Sequence, residues 1–566
     1  MSGPAAWDHE CDLLVLGGGG GGLSAALFGA LKHLNVLLCE KSPQLGGTTS
    51  TSGGIIWVPG SAQARQANAD DSIDRARTYL RHEIGELARE DLIEAFLASG
   101  HDALAKLEAE TEVKFDLIPW PDYHPNSPGA VEKGRSLLIQ PFDGRRLGAD
   151  FALVRPPIQR LMVLGGLMLG ADEIPDFLRP FASVVAFRTV VRKLGRYALD
   201  RLRYPRGTDI RNGNALVARL FCSLRQRNVP VWTDAPLVEL IRQGDRTVGA
   251  VINRHGKPTR VRATRGVILA TGGFPWSADL RSEFSTGFPH RYSLAFEGDT
   301  GDGIAAARAV GAVVDTALTS PALWTPASVI REPDGQETAV IYGYLDRGRP
   351  GVIAVDKSGR RFVNESDSYH DIVMAMHRLA NGHEAVAHFI CDRAFLRKHG
   401  LGAIRPPGRD FRRYVKSRYI ECADTIADLA RRIGADPSIL DETVRRHNSF
   451  ADSGVDLDFG KGSNIYNRLF GEAHGGLNPN LKRIETPPFF ALRIRAASLG
   501  TTIGLKTDAD ARVCDADNNP VPGLYACGNE MASAMRGYYP GGGVTLGPAI
   551  VFGYRAVEHL TGGSNA

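Results

Sequence analysis

Residues 12–41 read DLLVLGGGGGGLSAALFGALKHLNVLLCEK. DLLVL is a short apolar run suited to a buried parallel strand. Six glycines follow, Gly17 to Gly22, and LSAALFGALKHL then has the pattern of a helix. Gly17-x-Gly19-x-x-Gly22 therefore sits in the strand–turn–helix context that a dinucleotide needs. The first glycine makes the turn, the second admits a pyrophosphate, and the third lets helix and strand pack closely. Unpaired N–H groups and a positive dipole end at the helix start then face the phosphates. The next strand, NVLLCEK, ends at Glu40, an acidic residue placed to accept both ribose hydroxyls of an adenosine.

Directly after that strand comes SPQLGGTTSTSGG, Ser42 to Gly54. Small hydroxylated residues and glycines dominate it. The segment resembles the one by which flavoproteins of the glutathione-reductase-like class wrap FAD. Three further pieces agree. VILATGGF, Val267 to Phe274, is a strand entering a glycine turn, and GDTGDG, Gly298 to Gly303, opens the helix IAAARAVGA. VPGLYACGNE, residues 521–530, resembles the second flavin-binding motif of that class. FAD is the expected cofactor.

Composition sets the remaining bounds. Over 566 residues, 43% hydrophobic and 23% charged is ordinary for a globular protein and excludes wholesale disorder. A net charge of +4 gives no argument for nucleic acid. The seven cysteines are scattered without C-x-x-C or zinc-ligand spacing, so a reducing compartment and no metal are expected. No export signal and no bilayer-length apolar run are visible. A cytoplasmic, at most membrane-peripheral, location follows as an expectation.

The flavin pieces lie at 12–54, 230–312 and 500–560, with 231–241 (VWTDAPLVELI) read as a strand pair returning to them. The expected fold is α/β, a discontinuous Rossmann-like FAD-binding domain with an inserted α+β substrate-capping domain. The boundaries are 1–319 and 499–566 for the FAD-binding parts and 320–498 for the insertion. A second insertion, about 151–206, interleaves Arg and Lys with Leu, Val, Phe and Tyr at helical spacing. It reads as two or three helices packed on the surface, or as an interfacial patch that touches a membrane or admits a lipophilic substrate.

MRGYYPGGGVTLGPAIVFGYRAVEHL, Met535 to Leu560, with EKSPQLGGTTSTSGGIIWVPG near the start, resembles the bacterial 3-ketosteroid Δ1-dehydrogenases. These belong to the fumarate-reductase-like flavoproteins. The Tyr-Pro-Gly-x-Gly element, Tyr539 to Gly543, carries the steroid signal. Fumarate reductases have a carboxylate-gripping arginine in the corresponding element, and Arg536 nearby keeps that reading open. The Δ4-(5α)-ketosteroid dehydrogenases have a tyrosine and a serine there, and no serine lies between Gly537 and Leu546. PDYHPNSPGAVEKGRSL, Pro121 to Leu137, matches a family loop and implies a site role for Tyr123. GRRFVNESDSYHD, Gly359 to Asp371, implies one for Tyr369, with Tyr342 and Tyr344 as rivals. The family commonly has a second tyrosine where this chain has His124.

The cofactor contacts expected from these pieces are Gly17, Gly19, Gly22, Glu40 and Lys41, then Gly47, Thr48, Thr49, Ser52, Gly53 and Gly54. Leu237 and Val238 follow, with Ala270, Thr271, Gly272, Gly273 and Asp302. The C-terminal contacts are Gly528, Asn529, Glu530, Gly543, Val544, Thr545 and Leu546. The implied reaction is 1,2-dehydrogenation of a 3-ketosteroid, with a quinone-like external acceptor. Tyr539 O–H and Gly543 N–H polarise the ketone, Tyr369 takes the C2 proton, and Tyr123 hydrogen-bonds to Tyr369. On this reading a methyl added at Gly543 would occupy the space of the steroid A-ring. The helix after Gly543, with Pro548 in its first turn, would turn its positive end to the flavin. The competing expectations are a Δ4-dehydrogenase, an enoate reductase, or a flavin-bound interaction protein without catalysis.

Overall fold

The computed structural model describes residues 6–159, 162–170, 172–332, 334–341 and 346–562. Strand His9–Leu16 lies inside an eight-stranded sheet, paired in parallel with Val36–Cys39 on one side and Lys257–Leu269 on the other. Val231–Trp232 and Pro520–Ala526 continue the parallel array outward. Leu237–Gln243 and Arg246–Arg254 form an antiparallel meander leading into Lys257–Leu269. The parallel strands read as unbroken apolar runs because both faces are covered. Leu13 to Leu16, Leu37, Leu38 and Val267 to Leu269 are all buried.

Helix Gly20–Leu31 packs against this sheet, and its closeness depends on glycine. A Cβ on Gly22 would lie 1.9 Å from the carbonyl oxygen of Gly17, which itself has φ +112°. Helix Leu546–Leu560, with Pro548 in its first turn as expected, crosses it closely. A Cβ on Gly553 would stand 3.3 Å from that of Ala25.

A second, seven-stranded sheet is centred on Phe489–Thr501. This strand pairs antiparallel with Ala322–Arg331, Val386–Asp392 and Ile420–Ala423, and parallel with Tyr292–Ser293. Helix Tyr369–Ala380 lies against it, burying Ile372, Val373 and Met376 in the core of the second sheet. Its first residue, Tyr369, belongs instead to the core of the first sheet, beside Tyr123 and Tyr539. The two halves of the molecule therefore meet at these tyrosines.

Between residues 151 and 206 the structure has a short helix, Ile174–Leu178, and a long one, Val184–Arg201. The long helix is inverted. Its buried residues are Ala186, Lys193 and Asp200, a stripe with a seven-residue repeat that faces the protein. Lys193 pairs with Glu173 at 2.8 Å, and Asp200 accepts the backbone N–H and hydroxyl of Thr208. Val184, Val185, Phe187, Val191 and Leu199 face outward.

Candidate active site

The glycine turn and its partners form a cradle of the kind FAD requires. Glu40, at the end of its strand, accepts the N–H of Gly18 (2.7 Å) and of Ser42 (2.8 Å), one on each oxygen. A carboxylate has about four acceptor positions, so capacity remains for ribose hydroxyls. Thr49 Oγ1 accepts the N–H of Gly20, at the helix start. A Cβ on Gly20 would lie 3.3 Å from Leu546, so the starts of helices Gly20–Leu31 and Leu546–Leu560 converge on one space. Glu530 accepts from Thr271 (2.5 Å) and from the N–H of Gly273 (3.1 Å) through Oε2, while Oε1 is buried with no partner among the described residues. Burial raises the pKa of this carboxyl. An unmet buried acceptor beside a glycine turn suits a polyol hydroxyl, and the residues present fit FAD.

The other expected cofactor residues fall on several segments. Thr48 donates to Asp299 (2.8 Å), Lys41 donates to Asp302 (2.7 Å), and Gly47, Ser52, Gly53 and Gly54 lie on the segment that carries Thr49. Ala270, Gly272, Gly528 and Asn529 follow parallel strands of the first sheet. Leu237 and Val238 start a strand, and the Val238 side chain is exposed. Val544 and Thr545 sit between the tyrosine element and helix Leu546–Leu560.

The three expected tyrosines come together. The Tyr369 hydroxyl donates to that of Tyr539 at 2.7 Å, and the Tyr123 hydroxyl lies 3.2 Å from that of Tyr369. All three side chains are buried. The rings of Tyr123 and Tyr539 stack at 5.3 Å, and both meet Tyr369 edge-on. Tyr342 and Tyr344 lie outside the described residues.

Each tyrosine is held by its own element. Tyr369 opens a helix capped by Ser368, whose side chain accepts the N–H of Asp371. Tyr123 is on a loop fixed from beneath by Asp122, which accepts from the Trp57 indole (2.9 Å) and the Arg135 guanidinium (2.6 Å). The Pro540 carbonyl accepts the Tyr79 hydroxyl (2.6 Å) and the Tyr123 N–H (2.9 Å), which ties the Tyr539 element to that loop.

Two expectations need correction. Gly543 has φ +104°, and a Cβ there would lie 2.4 Å from the carbonyl carbon of Ile56. Its missing side chain therefore makes room for the Ile55–Trp57 strand, not for a substrate ring. The glycine that faces the tyrosines is Gly542, whose Cβ would stand 3.4 Å from Tyr123 Oη and 3.6 Å from Trp120 Nε1. Arg536, kept open as a carboxylate anchor, is buried and bound to Asp315 at 2.7 and 3.1 Å and to the Ala317 carbonyl.

The structure adds Trp120, Tyr466 and Arg347 to the site and gives His124, noted in the sequence for its departure from the family, its partners. Trp120 presents a buried indole N–H with no partner among the described residues. Tyr466 packs 4.8 Å from Tyr123 and accepts from Arg347, whose guanidinium also donates to the Asp367 carbonyl. His124 bridges Glu83 and Asp371. Tyr466 and Arg347 reach Tyr123 from distant segments and carry no local mark, whereas Trp120 and His124 lie within three residues of Tyr123 on the same loop.

Comparison with known proteins places the chain in a family. The FAD binding domain family matches residues 12–546. The 4-oxocyclohex-2-ene-1-carboxylate 5-dehydrogenase of Sinomonas cyclohexanicum is 36% identical, covering 96% of this chain and 93% of that protein. The 3-oxosteroid 1-dehydrogenase of Mycobacterium tuberculosis is 32% identical, covering 98% of each. The crystal structure of the 3-ketosteroid Δ1-dehydrogenase of Sterolibacterium denitrificans, in complex with 1,4-androstadiene-3,17-dione, superposes with a TM-score of 0.89. It is 33% identical and covers 98% of this chain and all of that one. The chain belongs to the FAD binding domain family of flavoproteins, among the relatives that include the 3-oxosteroid 1-dehydrogenases.

Proposed function

We propose that the protein is an FAD-dependent 3-ketosteroid Δ1-dehydrogenase, which removes hydrogen from C1 and C2 beside the C3 ketone. The observation that carries this reading is the chain of three buried tyrosine hydroxyls at the junction of the two sheets. The residues at about 320–498 act as a cap over the site. FAD, when bound, supplies the hydride acceptor for the C1 hydrogen.

The residues of the chain handle the proton. A C–H beside a ketone is weakly acidic, so charge must be stabilised on the carbonyl oxygen as the proton leaves. The Tyr539 O–H and the Gly543 N–H serve that oxygen. Tyr539 accepts a hydrogen bond from Tyr369, and accepting strengthens donation by the same hydroxyl. As Tyr369 takes the C2 proton it passes its own hydroxyl hydrogen to Tyr539, which passes its hydrogen toward the ketone oxygen, and Tyr123 supports the Tyr369 oxygen. The ketone oxygen and the C2 hydrogen belong to adjacent carbons of the substrate, which matches the 2.7 Å separation of the Tyr539 and Tyr369 oxygens.

The relative that acts on a small ring keto acid gives a second reading, since the same α,β-dehydrogenation would apply. Electrostatics favours the steroid. Among the described residues bordering the tyrosines, Arg347, Arg536 and His124 are each already bound to protein acceptors. A neutral ketone needs no further cation, whereas a substrate carboxylate does. Turnover of a saturated-ring-A or Δ4 3-ketosteroid with an artificial acceptor tests the reading: the product should be two mass units lighter, with its new double bond at C1–C2. Desaturation at another bond would refute it.

The same reading places the inverted helix Val184–Arg201 against a lipid surface. Phe181 and Val185 are 85% and 72% exposed, and Arg179, Arg188, Arg192, Arg201 and Arg203 flank the outward apolar face. Apolar side chains rimmed by arginine suit an interface with anionic headgroups. None of the described helices is long and apolar enough to cross a membrane. A peripheral contact fits a lipophilic substrate.

A further inference from the structure

We propose that His124 is a positioning residue: clamped between Glu83 and Asp371, it holds the loop of Tyr123 and the helix of Tyr369 in register. The proposal rests on the function assigned above to these two tyrosines.

His124 follows Tyr123 directly, and Asp371 lies two residues after Tyr369. His124 Nε2 is 2.9 Å from Asp371 Oδ2, and Nδ1 meets Glu83 Oε2. Glu83 belongs to helix Ile73–Ile84 and Asp371 to helix Tyr369–Ala380, so one ring joins three separate segments. With a carboxylate on each ring nitrogen, both nitrogens must carry hydrogen, and the ring is an imidazolium. Burial opposes that charge, but the bonds and charges of Asp371 and Glu83 overcome it and push the pKa up to about 11. Asp371 is held below the usual carboxylate range against its own burial, with His124 the largest favourable cause.

The clamp reaches the third tyrosine as well. The His124 N–H donates to the Tyr79 hydroxyl, which in turn donates to the Pro540 carbonyl next to Tyr539. Other polar and charged groups facing the clamp already have roles. Ser368 donates to Asp371 (2.7 Å), Asp367 accepts from Asn467 (2.9 Å), and Arg347 binds the Asp367 carbonyl. Burial keeps His370, on the same helix, neutral, with its pKa lowered to about 4.

The bond that needs this precision is the one between Tyr123 and Tyr369. At 3.2 Å it lies beyond the usual 2.5–3.0 Å range for O–H···O bonds. A shift of a fraction of an ångström between loop and helix would break it.

The test uses the holoenzyme with His124→Gln, Asp371→Asn, their double variant and His124→Arg. The readouts are anaerobic flavin bleaching at saturating 3-ketosteroid, ketone Kd, FAD content and Tm. His124→Gln is neutral, and both of its donors sit on one nitrogen, so it cannot replace the charge and the two separated donors of the ring. Its bleaching rate should fall at least tenfold, with ketone Kd within threefold and FAD retained. The double variant should be no slower than the slower single one, because the residues act as one unit. His124→Arg, a cation with a fork of donors, should recover most of the rate. Asp371→Asn carries the test if His124→Gln loses FAD. Normal bleaching in both single variants, or equal loss in Gln and Arg, would overturn the clamp while leaving the assigned function intact. A wild-type enzyme that no ketosteroid bleaches would instead remove the function on which the clamp rests.

Discussion

Tyr539 can be tested by deleting one atom. Tyr539→Phe keeps the ring stacked on Tyr123, so FAD content should survive. Loss of one donor to a developing oxyanion typically costs about 10²–10³ in rate. Flavin bleaching by ketosteroid should slow by about that factor, as measured by anaerobic stopped flow. The glycines separate two kinds of failure. Gly543→Ala should fail to yield folded holoprotein, because its Cβ would press on the Ile56 backbone at 2.4 Å. Gly542→Ala meets only side-chain atoms at 3.4 Å and beyond, so it should fold with FAD and raise the ketone KM. Expression yield and steady-state kinetics distinguish the two. The three tyrosines were legible in the sequence because short motifs surround each. Gly542 and Gly543 could not be told apart there, since which of them faces a strand depends on the distant Ile55–Trp57 segment.

The helix Val184–Arg201 shows what periodicity leaves open. Its sequence displays an apolar stripe and a charged one, and the ordinary reading turns the apolar stripe inward. Here Lys193 and Asp200 face inward, because Glu173, Asp209 and Thr208 supply partners for them. Those partners lie on other segments, so the helix sequence alone could not reveal the inversion. Substituting Phe181 and Val185 with Asp should abolish flotation with anionic liposomes and leave FAD content unchanged. Equal flotation of variant and wild type would remove the lipid contact. On the clamp proposal, helix Tyr369–Ala380 is held at its first turn by His124. His124, with its raised pKa, contributes stability that is fully present below its ordinary 6.5 and lost as pH rises through about 11. Between pH 6.5 and 10 the Tm of wild type should therefore fall more steeply than that of His124→Gln.

Across the whole molecule, the parallel sheet was legible from its strand–glycine–helix opening and its later glycine turns, which lie in the expected order. The second sheet was less so. Its central strand, Phe489–Thr501, gathers partners from residues 292 to 423, and such long-range pairing leaves no local mark. The site is built where the two sheets meet, from a loop of one, a helix of the other and a glycine-rich turn near the C-terminus. That arrangement explains why its hydrogen bonds span sequence separations of 170 and 246 residues. The central claim is that this junction dehydrogenates a neutral ring ketone. Anaerobic mixing of the holoenzyme with a 3-ketosteroid, and separately with 4-oxocyclohexanecarboxylate, while following flavin absorbance, tests it most directly. The account predicts full bleaching by the steroid and little by the keto acid; bleaching by the keto acid alone, or by neither, would contradict it.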